Sequence, residues 1–256
     1  MKKLAIIFFL MLGAATGARG SVAEADSAYM HDDFLNAAAL YQEAIDSLGP
    51  SVERYYNLGN AYYRAGLNGM AIVSYERALR LDPSNSDVRD NLEFVNSRIT
   101  DRIADSNSLF GSAADSVARV MHPNVWAWIA LGCFVLALGG VCVYFLVDGV
   151  VMRKIGFFGS GVLLILCVVS NMLARRGTRA ASASDEAVVV SPSVILSTTP
   201  RQPKDRTEEA MLLHEGTKLK ILDSIPGTGG KDRMWYDVKV DNSHRAWVSS
   251  EAVEII

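Results

Sequence analysis

Two long uncharged apolar runs, separated by only seven residues, constrain this chain more than any other feature. Val125 to Val147 is 23 residues without a charge, and Ile155 to Leu173 is a further 19. A hydrocarbon layer about 30 Å thick is crossed by roughly 20 apolar helical residues. Trp126 and Trp128 open the first run and Tyr144 lies near its end, where interfacial aromatics belong. Neither run has the polar face that a core helix of this length would need. They predict an antiparallel membrane hairpin with spans over 125–147 and 155–173 and a turn over 148–154.

The start of the chain adds a direction. Lys2 and Lys3 precede the uncharged run Leu4 to Leu12, and small residues dominate from Gly13 to Ala23. A basic start, short apolar core and small-residue exit describe a secretory signal over 1–23, cleaved after Ala18 or Ala23 or left uncleaved. Nine apolar residues are too few to span. With the N-terminus exported, the first span runs inward and the second returns. Both polar segments then face the periplasm from the inner membrane, and Arg153 and Lys154 stay in the inner loop. Arg175, Arg176 and Arg179 follow the second span and weigh the other way under the positive-inside rule, but an N-terminal export signal outranks them.

Composition removes several classes of function. The net charge of −3 offers no basic patch for nucleic acid. Cys133, Cys142 and Cys167 all sit inside the apolar runs, so no disulfide framework is visible. His31, His122, His214 and His244 are scattered without metal-ligand spacing. Gly229-Gly230 lacks the Lys-Ser/Thr of a phosphate-cradling loop. No nucleophile with its base can be named, so the chain is expected to be non-enzymatic, with no metal and no cofactor.

Between 24 and 104 the informative signal is internal periodicity. Tyr55, Leu58, Gly59, Tyr62, Ala71, Tyr75, Ala78 and Pro83 fall at spacings of two packed helices. Small Gly59 and Ala71 suit a close helix crossing, Tyr62 and Tyr75 fill the space beside it, and Pro83 stops the second helix. An offset of 34 residues back gives Ala37, Tyr41 and Ala44, with Pro50 one place late. The same offset forward leaves Leu92 in a polar helix from about Ser86 to Ala104, which reads as a cap. The segment resembles the tetratricopeptide (TPR) family over one full repeat, one weaker repeat and that cap. The resemblance implies a groove for protein segments, with Tyr56, Asn60, Tyr63 and Arg64 as candidate partner-binding residues. So short an array is expected to lean on a second copy, a partner or the membrane surface.

Linkers are expected over 105–124 and 174–185. From 186 to 256 the pattern becomes short β-like runs: Ala187 to Val190, Lys218 to Leu222, Trp235 to Val240 and Arg245 to Val248. Pro226 to Gly230 reads as a flexible loop. The order of features, with Leu213 to Leu219, Ala246-Trp247-Val248 and a closing Ala252-Val253 turn, resembles bacterial SH3 domains. That implies a small all-β barrel. Trp235 and Trp247 are candidate contacts to peptide or peptidoglycan, while alternation puts Tyr236 with Val238 and Val240 on the core side and faces Trp235 outward. The fold class expected is therefore multidomain: an all-α TPR repeat, a transmembrane hairpin and an SH3-like barrel.

Taken in order, signal, TPR, two spans and SH3-like segment resemble the BatE-type proteins of bacterial aerotolerance gene clusters. The resemblance implies a periplasm-facing scaffold beside Bat-type membrane partners of von Willebrand type and a MoxR-type ATPase, serving envelope assembly or stress tolerance. A cell-wall-binding or sensing protein is the alternative.

Overall fold

The computed structural model describes residues 22–101, 109–182, 185–227, 234–241 and 243–256. The expected export signal therefore lies almost wholly outside the described residues. The chain divides into two compact units. One combines the N-terminal helices with the C-terminal strands, and the other contains the apolar hairpin.

In the first unit, α1 (22–30) and α2 (Phe34–Leu48) form one antiparallel pair, and α3 (Val52–Arg64) and α4 (Asn68–Leu81) the next. A single further helix follows, α5 (Ser86–Asn96). Local chemistry sets the ends. Ser51 caps α3 by accepting from the Arg54 N–H, and Asn85 caps α5 by accepting from the Val88 N–H. Gly49 and Gly66 close the preceding helices at positive φ. Pro83 lies in the turn between α4 and α5. Leu58, Ala71, Tyr75 and Ala78 are all buried. A methyl on Gly59 would stand 2.6 Å from the ring of Tyr75, so the tyrosine rests directly on the glycine.

The C-terminal segment forms seven antiparallel strands: β1 (Glu186–Val189), β2 (Ser193–Ser197), β3 (Glu209–His214), β4 (Lys218–Pro226), β5 (Met234–Lys239), β6 (Arg245–Ser249) and β7 (Val253–Ile255). Their order across the sheet is β3-β2-β6-β5-β4-β1-β7. The expected barrel is not formed: the sheet is open, with β3 and β7 as its edges among the described residues. Edge β7 is covered by a helix instead of by a strand. From α4, Arg77 donates to the Ile255 carbonyl at 2.6 Å and Arg80 donates to that of Ile256. Edge carbonyls satisfied in this way have no call on β3.

That contact joins the helices and the sheet into one body. Strand β1 is apolar on both faces because both are covered. Ala187 and Val189 enter the sheet core with Leu196, Leu219, Val238 and Val248. Val188 and Val190, with Ile256, enter the helical core with Ile72, Val73 and Val88. Burying one such aliphatic side chain is worth about 1.5–3 kcal/mol. The short helical array thus leans on strands of its own chain, an arrangement that the sequence left unspecified.

The second unit contains α6 (Leu109–Ala118), α7 (Pro123–Leu146) and α8 (Val150–Ser182). Pro123 opens α7 at a position where its missing N–H costs nothing. The turn shrinks to 147–149. Helices also occupy much of the two stretches expected to be linkers: α6 lies within 105–124, and α8 runs on through 174–182. No residue from Ala174 to Ser182 breaks a helix strongly enough to stop it, and Arg176 on α8 is paired with Asp115 on α6 at 3.0 Å. Both long helices contain an 18-residue stretch apolar enough to cross a membrane, with mean hydropathies of 2.4 and 2.1 over those stretches. Their bulky side chains, such as Leu136, Phe145 and Ile165, point outward, while Ala137 and Ser160 are buried. The helices touch through small residues. A methyl on Gly156 would lie 2.6 Å from the Gly140 carbonyl oxygen and 3.0 Å from the Tyr144 nitrogen. Such close backbone approach holds helix pairs together in lipid, where hydrophobic driving force is lacking.

Candidate functional site

Helices α1 and α3 open the two helix pairs and α5 follows them, and side chains of the three meet in a repeating pattern. Tyr29 and Tyr63 lie 34 residues apart, as do Arg64 and Arg98, and Asn57 and Asn91. Arg64 stands with its guanidinium 4.4 Å from the Phe34 ring centroid and 6.0 Å from that of Tyr29, and it pairs with Asp32 at 3.3 Å. Arg98 repeats the arrangement. Its guanidinium lies 4.2 Å from the Phe94 centroid, and it donates to the Tyr63 hydroxyl at 2.8 Å. Each arginine keeps its charge beside aromatic faces that attract it.

Between these arginine–aromatic groups the face is polar and connected. Asn60 accepts from the Tyr75 hydroxyl at 2.7 Å and from Asn91 at 2.9 Å, and Asn91 also donates to the Tyr56 hydroxyl at 3.2 Å. Burial raises the Tyr75 hydroxyl well above its ordinary pKa, with Tyr56 adding to the effect, so it remains a donor. At the N-terminal end a cleft of about 230 Å³ is lined by Asp26, Tyr29, Met30, Tyr41, Asn57 and Asn60. Tyr41 donates to Asp26 there at 2.5 Å; burial and then that carboxylate raise its pKa too.

Of the four groove residues proposed from the sequence, Asn60 and Tyr56 are tied into this network. Tyr63 and Arg64 contribute to the repeating arginine–aromatic pattern. All four face the same series of helices. Tyr29, Asn91, Phe94 and Arg98 were missed. The 34-residue offset contained the signal, in Asn57/Asn91 and Arg64/Arg98, outside the small and bulky packing positions that define the repeat.

On the sheet, Trp235 and Trp247 occupy the face opposite Tyr236 and Val238. Trp247 is half-buried, but Trp235, read as outward-facing, is only 5% exposed. Cross-strand pairing explains part of the enclosure: Ile225 and Ser249 lie directly opposite Trp235 on β4 and β6. Between the two tryptophans sits Asp237, also buried, gripped by Arg245 through Nε at 2.8 Å and again through the terminal nitrogen. A buried carboxylate needs such a partner, and the bidentate fork supplies it.

A polar junction also ties the helices to the strands. Asp101 accepts from the His214 N–H at 2.6 Å, from the His214 ring at 3.0 Å and from the Thr217 hydroxyl at 2.9 Å. Burial pushes this carboxyl up, but the His214 and Thr217 hydrogen bonds outweigh it and hold the group below its ordinary value. Glu215 accepts from the Gly69 N–H at 2.8 Å, so the sheet caps the start of α4. Lys218 bridges Glu76 at 2.7 Å and Glu186 at 3.5 Å. Among the described residues, no group of three or more His, Cys, Asp or Glu side chains could hold a metal.

No curated protein matches this chain. The family model for the tetratricopeptide repeat matches residues 52–85, which are α3, α4 and the turn after them. Of the helical face just described, α3 lies within the matched TPR repeat.

Proposed function

We propose that this chain is a non-catalytic scaffold of the inner membrane that presents one composite periplasmic body to protein partners. The observation that carries the reading is the docking of α4 against β1 and β7. Segments on either side of the hairpin share a core, which is consistent with both ends of the hairpin emerging in one compartment. The export signal read at the N-terminus favours the periplasm as that compartment. The face of α1, α3 and α5 takes partner segments, with Arg64 and Arg98 offering charge-assisted hydrogen bonds and Tyr29, Tyr56 and Tyr63 offering aromatic surface. The Ala246-Trp247-Val248 segment supports an SH3-like relationship for the sheet, although the sheet is open. The order of parts keeps the aerotolerance reading, with Bat-type membrane proteins as partners in envelope assembly.

Photo-crosslinking from Tyr56 and Tyr63 in intact cells tests the scaffold. Membrane-protein partners captured from these positions, and lost with R64A/R98A, would support it; capture of the same partners from the exposed Leu48 instead would overturn it. A reporter active only outside the cytoplasm, fused after Ile256, should be active. Silence would place the body in the cytoplasm. A cell-wall-binding role has one observation in its favour, the half-exposed Trp247 beside Arg245 on the outer face of the sheet. Retention of the full-length protein on purified peptidoglycan, abolished by W247A, would select that reading.

A further inference from the structure

At the turn end of the hairpin, Tyr144, Val150, Arg153, Lys154, Phe157 and Phe158 enclose a cleft of about 330 Å³. Its walls are apolar and aromatic. Tyr144 and Phe157 lie 5.7 Å apart, and Phe157 and Phe158 5.4 Å. Its cations are held but not neutralised. Arg153 donates through Nε to the Tyr144 carbonyl at 3.1 Å, and its guanidinium lies 5.3 Å from the Tyr144 ring centroid. The contact uses one of the donors and fixes the plane of the fork, which leaves the two terminal nitrogens free for another acceptor. Lys154 stands beside it. Neither residue forms an ion pair among the described residues, and the first turn of α8 contains no acidic residue.

Two unneutralised charges beside an aromatic cleft, at the end of helices otherwise clothed in exposed apolar side chains, have a specific complement. We propose that this cleft binds the headgroup of an anionic phospholipid, with its phosphate between Arg153 and Lys154 and an acyl chain along Phe157 and Phe158. The geometry suits a phosphate, because the guanidinium can grip two oxygens while the ammonium takes a third. The aromatic wall lies where the first acyl methylenes leave the headgroup. Phe157 and Phe158 are 58% and 68% exposed, so they offer an acyl chain a wall directly beside the cations that a soluble anion would not use. The proposal rests on α7 and α8 crossing a membrane, and that premise fails visibly if alkaline carbonate washes the protein from membranes.

The test uses the full-length protein in detergent, with native mass spectrometry of bound phosphatidylglycerol and phosphatidylcholine of matched chains. Wild type should prefer phosphatidylglycerol. R153Q and K154Q should each cut the preference about fivefold, and the double variant roughly 25-fold, from the attraction of a basic side chain to an anionic surface. The charge-preserving R153K/K154R should retain most of it, and R175Q, at the other end of α8, should lose less than either single variant. If the double variant does not insert, the single variants supply the same reading. Equal binding of the two lipids, an unaffected double variant, an equal loss in R175Q, or displacement by millimolar inorganic phosphate would each overturn the proposal.

Discussion

Asp101 shows how much one side chain can hold when three donors converge on it. Its folded pKa lies below the ordinary 3.8, so its contribution to docking is complete above that value and is lost as pH falls below it. Asp101→Asn should weaken the helix–sheet junction by roughly 1.5–3 kcal/mol near neutrality, the range for hydrogen bonds to a charged acceptor. Hydrogen exchange at the His214 and Thr217 amides would report it, and the gap between variant and wild type should narrow from pH 5 to pH 3. Gly216 is the second sensitive position. Its φ is +91°, and a methyl there would lie 2.5 Å from Ile99 Cγ2 and 3.1 Å from Ile72 Cδ1. Gly216→Ala should cost roughly 2–4 kcal/mol through strain and overpacking together. Gly59→Ala presses on the buried Tyr75 ring and should lower the helical melting midpoint, at a cost of about 1–3 kcal/mol.

At the scale of elements, the hairpin and the TPR repeat were both legible because each rests on a local rule. Uncharged length announces α7 and α8, and the spacing of small and bulky residues announces α3 and α4. Helix ends were less legible: α8 outruns its apolar stretch because Arg175, Arg176 and Arg179 are good helix formers and nothing stops the helix. Strands β2 and β3 were missed, although Val194-Ile195-Leu196 is a plain apolar run. Their pairing encloses an eleven-residue polar connection, from Thr198 to Glu208, which hides the hairpin from a short-range reading. The close approach of α7 and α8 makes its own prediction. Gly156→Leu cannot be accommodated 2.6 Å from the Gly140 carbonyl, so the helices must separate. Disulfide formation between cysteines placed at Gly140 and Ser160 should be efficient in the wild-type background and largely lost with Gly156→Leu.

For the whole molecule, the consequence that matters is that sequence-distant ends share one core. Lys218 and Glu76 are 2.7 Å apart, close enough for a zero-length carbodiimide to join them. Treating intact membranes should give a crosslinked peptide pair linking α4 to β4. Gly216→Ala should reduce its yield, and its absence from wild type would separate the two modules. Through this docking β1 supplies so short an array with the apolar neighbour that a further repeat would otherwise provide.

The amino-acid sequence by itself determined the apolar hairpin, the TPR repeat and the β character of the C-terminal segment, because length, spacing and alternation are local properties of a chain. Only the tertiary structure decided that β1 would be covered on both faces, that α4 would close the β7 edge and that Trp235 would be enclosed. The first two outcomes depend on surfaces that meet across more than 100 residues of intervening chain, the third on the strands paired around Trp235, and burial is a property of the meeting rather than of either partner.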